Sequence, residues 1–189
     1  LFNTAAVAQA GKLIAYRDKK LLPTYDVFDE DRYFMPAERI EPVSIQIKKN
    51  DFRIGLQICE DLWDNEYEIK VTRNLAQQNI DFFVNISASP FHIDRIHERI
   101  VIAREKVNEF KKYFIYCNIV GSQDELIFDG TSFVLDPTGQ IIGFGEYFKS
   151  DVIITDLEND RPIEPVFMNE DEQIFRALSI GVSDYLRKT

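Results

Sequence analysis

Apolar residues recur along this chain with two periods, and the alternation between them predicts an α/β fold. Thr4–Ala8 and Leu13–Tyr16 are apolar-rich runs on either side of a Gln-Ala-Gly-Lys turn, which reads as a hairpin. Val43–Ile47 alternates with period two, and the polar residues Lys49, Asn50 and Asp51 turn it into a second strand, Arg53–Cys59. Between Glu66 and Gln78, Tyr67, Val71 and Leu75 share one helical face. Asp81–Ile86 is a nearly continuous apolar run, as expected of a strand covered on both sides. Ile96, Ile100, Ala103, Val107 and Phe110 then step by four and three, the mark of an amphipathic helix.

Strands are expected at Phe114–Val120, Ser132–Leu135, Gln140–Phe144 and Asp151–Asp156, with a Pro-Thr-Gly turn after Asp136. Asn169, with Glu172 three residues on, resembles a capping box that opens a last helix. Ile174, Leu178, Gly181 and Tyr185 would share one face of it. Leu22–Glu41 and Leu157–Glu170 carry no periodicity, and loops of that length tend to bear function or link domains.

Composition narrows the class. The chain has 189 residues, 45% of them hydrophobic, enough for one full-sized core and too apolar for disorder. Net charge is −10, and the lysine pairs are short and scattered, which argues against nucleic acid and against an anionic membrane. No apolar run approaches the ~18 residues of a membrane span. The opening segment lacks both the features of a signal peptide and an initiator Met, so it reads as a piece of a longer protein. Two cysteines in a chain of this size point to a reducing, cytoplasmic compartment rather than to a disulfide scaffold.

Cys59 is the sharpest candidate for chemistry. It ends a strand and precedes Glu60 and Asp61, where a strand-to-helix turn would present a nucleophile together with backbone N–H groups. The competing reading is a buried apolar cysteine, and the two acids demand a nearby cation if a thiolate is to form. Lys19 would supply that cation, although a lysine pair beside a loop is commonly a solvated edge. Ser89 and Arg95 lie where a polar strand end enters the long helix, fit to hold a carboxylate or simply to cap the helix. Cys117, inside an apolar run, reads as core. The spacing of His92 and His97 and the lack of Cys-x-x-Cys or His-Glu-x-x-His argue against zinc, and neither Gly-x-Gly-x-x-Gly nor a Walker A loop is present.

Taken together, these motifs resemble the nitrilase superfamily, and within it the glutaminase domains of glutamine-dependent NAD+ synthetases. The stretches that carry the resemblance run from Lys19 through Tyr25, Phe28 and Glu30 to Phe34, from Gly55 through Cys59 to Trp63, from Asn85 to Phe91, and from Val120 through Gly130 to Ser132. The resemblance implies an αββα sandwich with Cys59 as nucleophile and Lys19 as the lysine of a Glu–Lys–Cys triad. It further implies a glutamine pocket formed by Tyr25, Ser89 and Arg95, with Phe28, Glu60 and Trp63 lining it. Either Glu30 or Glu60 would meet the substrate ammonium. The family's general-base glutamate precedes the lysine, yet the 18 residues before Lys19 contain no Glu, so the fold is expected to be incomplete at its start and the chain as given inactive or very slow.

The resemblance also divides the chain into an amidohydrolase part, residues 1–165, and a linker with a first helix, residues 166–189, leading to an ATP-dependent synthetase domain. ATP and magnesium would belong to that domain, leaving this one without a cofactor. The expected partners are L-glutamine, the synthetase domain and further copies of the chain. Two other readings fit the same residues: a stand-alone amidase or carbamoylase, and a non-catalytic oligomerisation domain.

Overall fold

The computed structural model describes residues 1–188 and divides into two compact units, Leu1–Ile86 and the described residues from Ser87 onward.

The first unit opens with the expected hairpin. Strands β1 (Thr4–Gln9) and β2 (Lys12–Asp18) pair antiparallel around Ala10 and Gly11, both at positive φ as a tight primed turn requires. A second hairpin joins β3 (Val43–Ile47) to β4 (Asn50–Ile58). Strand β5 (Phe82–Ser87) then runs parallel to β4, Ile54 opposite Phe82 and Ile58 opposite Ile86. A parallel pair needs a crossover, and helix α1 (Val71–Ala76) provides it. Leu62, Val71, Leu75, Ile80 and Phe83 form the buried core of this unit.

The crossover helix begins later than the periodicity suggests, because Asp64 takes over its start. Its carboxylate accepts the Thr72 amide at 3.0 Å, and residues 64–66 form a separate 3-10 turn. Tyr67 is therefore off the helix and free to point elsewhere.

The second unit is built on helix α2 (Arg95–Phe110), whose Ile96, Ile100, Ala103 and Val107 are buried as their spacing requires. Strands β6 (Tyr113–Asn118), β9 (Phe133–Leu135) and β10 (Ile141–Phe144) are antiparallel neighbours in the order β10-β9-β6. Between them lies a hairpin that the apolar pattern did not reveal, β7 (Val120–Gln123) with β8 (Leu126–Asp129). Its strands are short, and polar Ser122 and Gln123 interrupt the alternation. Helix α3 (Glu170–Lys188) packs on this hairpin, and the Asn169 carboxamide caps it by accepting the Glu172 amide at 3.0 Å.

Three expectations need correction here. Asp151–Asp156 follows β10 without forming a strand. Its Asp151 and Asp156 carboxylates bind neighbouring amides, and Val152 and Ile154 stand 81% and 91% exposed. Cys117 is exposed rather than core, because Phe114 and Tyr116 take the buried positions of β6. On α3 the packed face is Gln173, Ala177 and Gly181, whereas Leu178 and Tyr185 face outward. Among the described residues no helix is long and apolar enough to cross a membrane.

Candidate active site

Strand β4 ends at Ile58, and the chain turns at once into a single 3-10 turn, Cys59–Leu62. Cys59 enters that turn with φ of 44°, a left-handed conformation that costs a side chain about 1–2 kcal/mol. Neighbours hold it there. Asn85, buried on β5, donates its amide nitrogen to the Cys59 carbonyl at 3.3 Å, and Asp61 accepts the Ile58 amide at 3.1 Å. Cys59 is half-buried at the strand end, so the reading of it as an ordinary core cysteine fails.

Asp61 does more than close the turn. Its other oxygen accepts the amides of Lys20 and Leu21 at 3.0 and 2.9 Å, so one buried carboxylate ties the chain leaving β2 to the cysteine elbow. Burial raises the Asp61 pKa from 3.8 to about 6, against the pull of those amides and of nearby Lys19.

Lys19 directly follows β2 and is only 1% exposed, which overturns the solvated-edge alternative. Its ammonium donates to Glu30 Oε1 at 2.6 Å, and Asn3 donates to the other Glu30 oxygen at 3.3 Å. Glu30 sits on a 3-10 turn, Glu30–Arg32, inside the loop that showed no periodicity. Sequence reasoning offered Glu30 as a partner for a substrate ammonium; the structure engages it with Lys19 instead.

Glu60 is buried, and both its oxygens are occupied. Tyr25 Oη donates to Oε2 and Tyr67 Oη to Oε1, each at 2.9 Å. Tyr67 is the residue that sequence reasoning missed, having assigned it to a helical face. Burial, reinforced by the bond to Glu60, pushes its phenol pKa well up, so it stays a neutral donor. Phe28 packs edge-on against Tyr25, ring centroids 5.7 Å apart, and Trp63 follows the 3-10 turn, half-buried. The first unit thus gathers Cys59, Lys19, Tyr25, Phe28, Glu60 and Trp63 on the elbow and the loop tied to it.

In the second unit Ser89 is buried, and it does not cap α2, whose N-cap is Asp94. The Ser89 hydroxyl accepts from Arg99 Nε at 3.2 Å, while its amide donates to Asn118 at 2.9 Å. Arg99 is fully buried and also bonds Asp129, Thr131 and the carbonyls of Ser89 and Pro90. Arg95 begins α2 and pairs with Glu98 one turn on. Among the described residues no group of three or more His, Cys, Asp or Glu is arranged to hold a metal ion.

This chain's sequence matches the profile of the carbon-nitrogen hydrolase family over residues 1–161. It is 36% identical to a glutamine-dependent NAD(+) synthetase of Synechocystis, over 100% of this chain and 35% of that protein. A synthetase of the same name from Thermotoga maritima is 32% identical, covering 99% of this chain and 38% of its own length. The fold superposes on a glutamine-dependent NAD+ synthetase of Acinetobacter baumannii with a TM-score of 0.85 at 30% identity, over 98% of this chain and 35% of that one. A carbon-nitrogen hydrolase of Helicobacter pylori shares the fold at 22% identity and a TM-score of 0.71, over 83% of this chain and 57% of its own. The chain thus spans little more than a third of the length of its synthetase relatives.

Proposed function

This chain belongs to the carbon–nitrogen hydrolase family, with a nitrilase-like α/β fold, and on that premise we propose that it hydrolyses the side-chain amide of L-glutamine. It is homologous to the glutaminase part of NAD+ synthetases. The observation that carries the reading is the elbow. A strained, partly exposed cysteine at a strand end shares one carboxylate tie, Asp61, with the segment bearing a buried lysine.

In the proposed reaction the Cys59 thiolate attacks the amide carbon, and the carbonyl oxygen becomes an oxyanion. The Lys19 ammonium and the Glu60 backbone N–H stabilise that charge. Collapse of the tetrahedral adduct breaks the carbon–nitrogen bond, and the departing nitrogen takes up a proton and leaves as ammonia. Water then cleaves the thioester to release glutamate and restore the thiol. Tyr25, Ser89 and Arg95 bind the amino-acid end of the substrate, Arg95 against its carboxylate. The Glu60 carboxylate receives its ammonium, since Glu30 is engaged by Lys19. Phe28 and Trp63 line the aliphatic stem.

The residues before Lys19 offer no glutamate as general base, so the 189-residue chain turns glutamine over very slowly. In the longer enzyme the ammonia passes to an ATP- and magnesium-dependent synthetase domain, with residues 1–165 as the amidohydrolase part and 166–189 leading onward. Self-association and a reducing cytoplasmic setting complete the proposal. The test is ammonia release from L-glutamine by this chain and by a form extended at its N-terminus with a relative's segment. The proposal expects a large gain on extension. Hydrolysis of simple amides with glutamine ignored would favour a stand-alone amidase, and no hydrolysis by either form would favour a non-catalytic domain.

A further inference from the structure

The Glu60 carboxylate follows the candidate nucleophile directly in sequence, yet among the described residues no cation bonds it; its two oxygens are held by two phenols, Tyr25 and Tyr67, one on each. Such a carboxylate keeps two further lone pairs for an incoming cation, in a direction the phenols fix. Tyr67 reaches it from outside the loop that carries Tyr25 and Phe28. Its own position is set locally: its amide donates to the Asp64 carbonyl at 3.2 Å, and Lys70 Nζ bridges the carbonyls of Asp64 and Asn65. Asp64 in turn caps α1. The turn between elbow and helix is thus shaped to deliver one phenol to one carboxylate oxygen.

From this geometry we infer that Tyr67 is a positioning residue for Glu60 that sets the preference for substrates carrying a free α-ammonium over simple amides. The inference rests on the glutaminase reading. It concerns the amino-acid end of the substrate and leaves the chemistry at Cys59 untouched. Removing one hydrogen bond to the carboxylate lets it rotate away from the ammonium, which weakens binding by about tenfold.

The test compares two electrophiles that alkylate the same thiol: L-2-amino-4-oxo-5-chloropentanoate, which has the glutamine-like ammonium and carboxylate, and iodoacetamide, which has neither. The Cys59 adduct is followed by peptide mass spectrometry in the wild-type chain and in Tyr67→Phe. Expected is saturable labelling of the wild type by the chloroketone, with the half-saturating concentration raised about tenfold in Tyr67→Phe. The limiting rate and the iodoacetamide rate should stay the same. The iodoacetamide reaction in the same sample reports whether the elbow is intact. Parallel loss of both rates would assign Tyr67 a purely structural role and overturn the inference, as would an unchanged half-saturating concentration. If the wild type itself labels with no saturation, the glutaminase reading falls first and takes this inference with it.

Discussion

Each unit has an ion pair built on a buried cation, and the two are built differently. In the second unit Arg99 spends its donors completely: Nε on Ser89, one terminal nitrogen on both oxygens of Asp129 and on Thr131, the other on two backbone carbonyls. Both partners are essentially inaccessible, at 0% and 2%. In the first unit Lys19 is as deeply buried, but among the described residues its ammonium has one acceptor, Glu30, which is 18% exposed. An ammonium carries three donors. A saturated guanidinium holds loops together, whereas the hydrolysis proposed above needs an ammonium with donors left for an oxyanion.

The sharpest way to break this contrast is Arg99→Met. It strands the Asp129 carboxylate in the interior and should cost about 3–5 kcal/mol of stability, read from urea unfolding. Cys59 labelling in the fraction that stays folded should hardly change. A variant as stable as wild type would refute the structural role.

Asp61 links the Lys19 segment to the elbow, and its titration gives the next effect. With a folded-state pKa of about 6 against 3.8 for the free group, the folded chain holds a proton between those values that the unfolded chain has released. Stability therefore falls as pH rises from 4 to 6, by about 3 kcal/mol at most from this group. Asp61→Asn, which cannot ionise, should flatten that part of the stability profile. A slope identical to wild type would show that the carboxylate titrates normally.

Glu30→Gln is the mildest. It keeps a hydrogen-bond acceptor for Lys19 while removing the charge, and a partly exposed pair loses only about 1 kcal/mol. A loss as large as that of Arg99→Met would mean that the Lys19 pair, too, is structural.

Much of this arrangement could be read from the chain itself, and the failures have physical causes. The hairpins β1–β2 and β3–β4 announced themselves as apolar runs around turn residues, β5 as a nearly continuous apolar run, and α2 by its 3.6-residue period. Cys59 and Lys19 stood out by residue type at element ends. Asp151–Asp156 misled because alternating apolar residues were outweighed by aspartates that bind local amides. Tyr67 was hidden for the opposite reason. Its helical spacing to Val71 and Leu75 is real, but Asp64 caps α1 only at Thr72, which leaves the ring free to reach Glu60. The Glu30 partnership with Lys19 spans eleven residues of irregular loop, and no local pattern encodes such a contact.

The proposed hydrolysis requires Cys59 to be an activated thiol that Lys19 serves. Cys117 is the internal reference: it is exposed, but it lines a cavity of about 380 Å³, and burial on that side raises its pKa. The direct measurement is the rate of iodoacetamide labelling at each cysteine between pH 6 and pH 9 in wild type and Lys19→Met. The account predicts that Cys59 reacts at least about tenfold faster than Cys117 at neutral pH, and that Lys19→Met abolishes this advantage without unfolding the chain. Equal rates at the two cysteines in the wild type, or an advantage that survives loss of the ammonium, would contradict it.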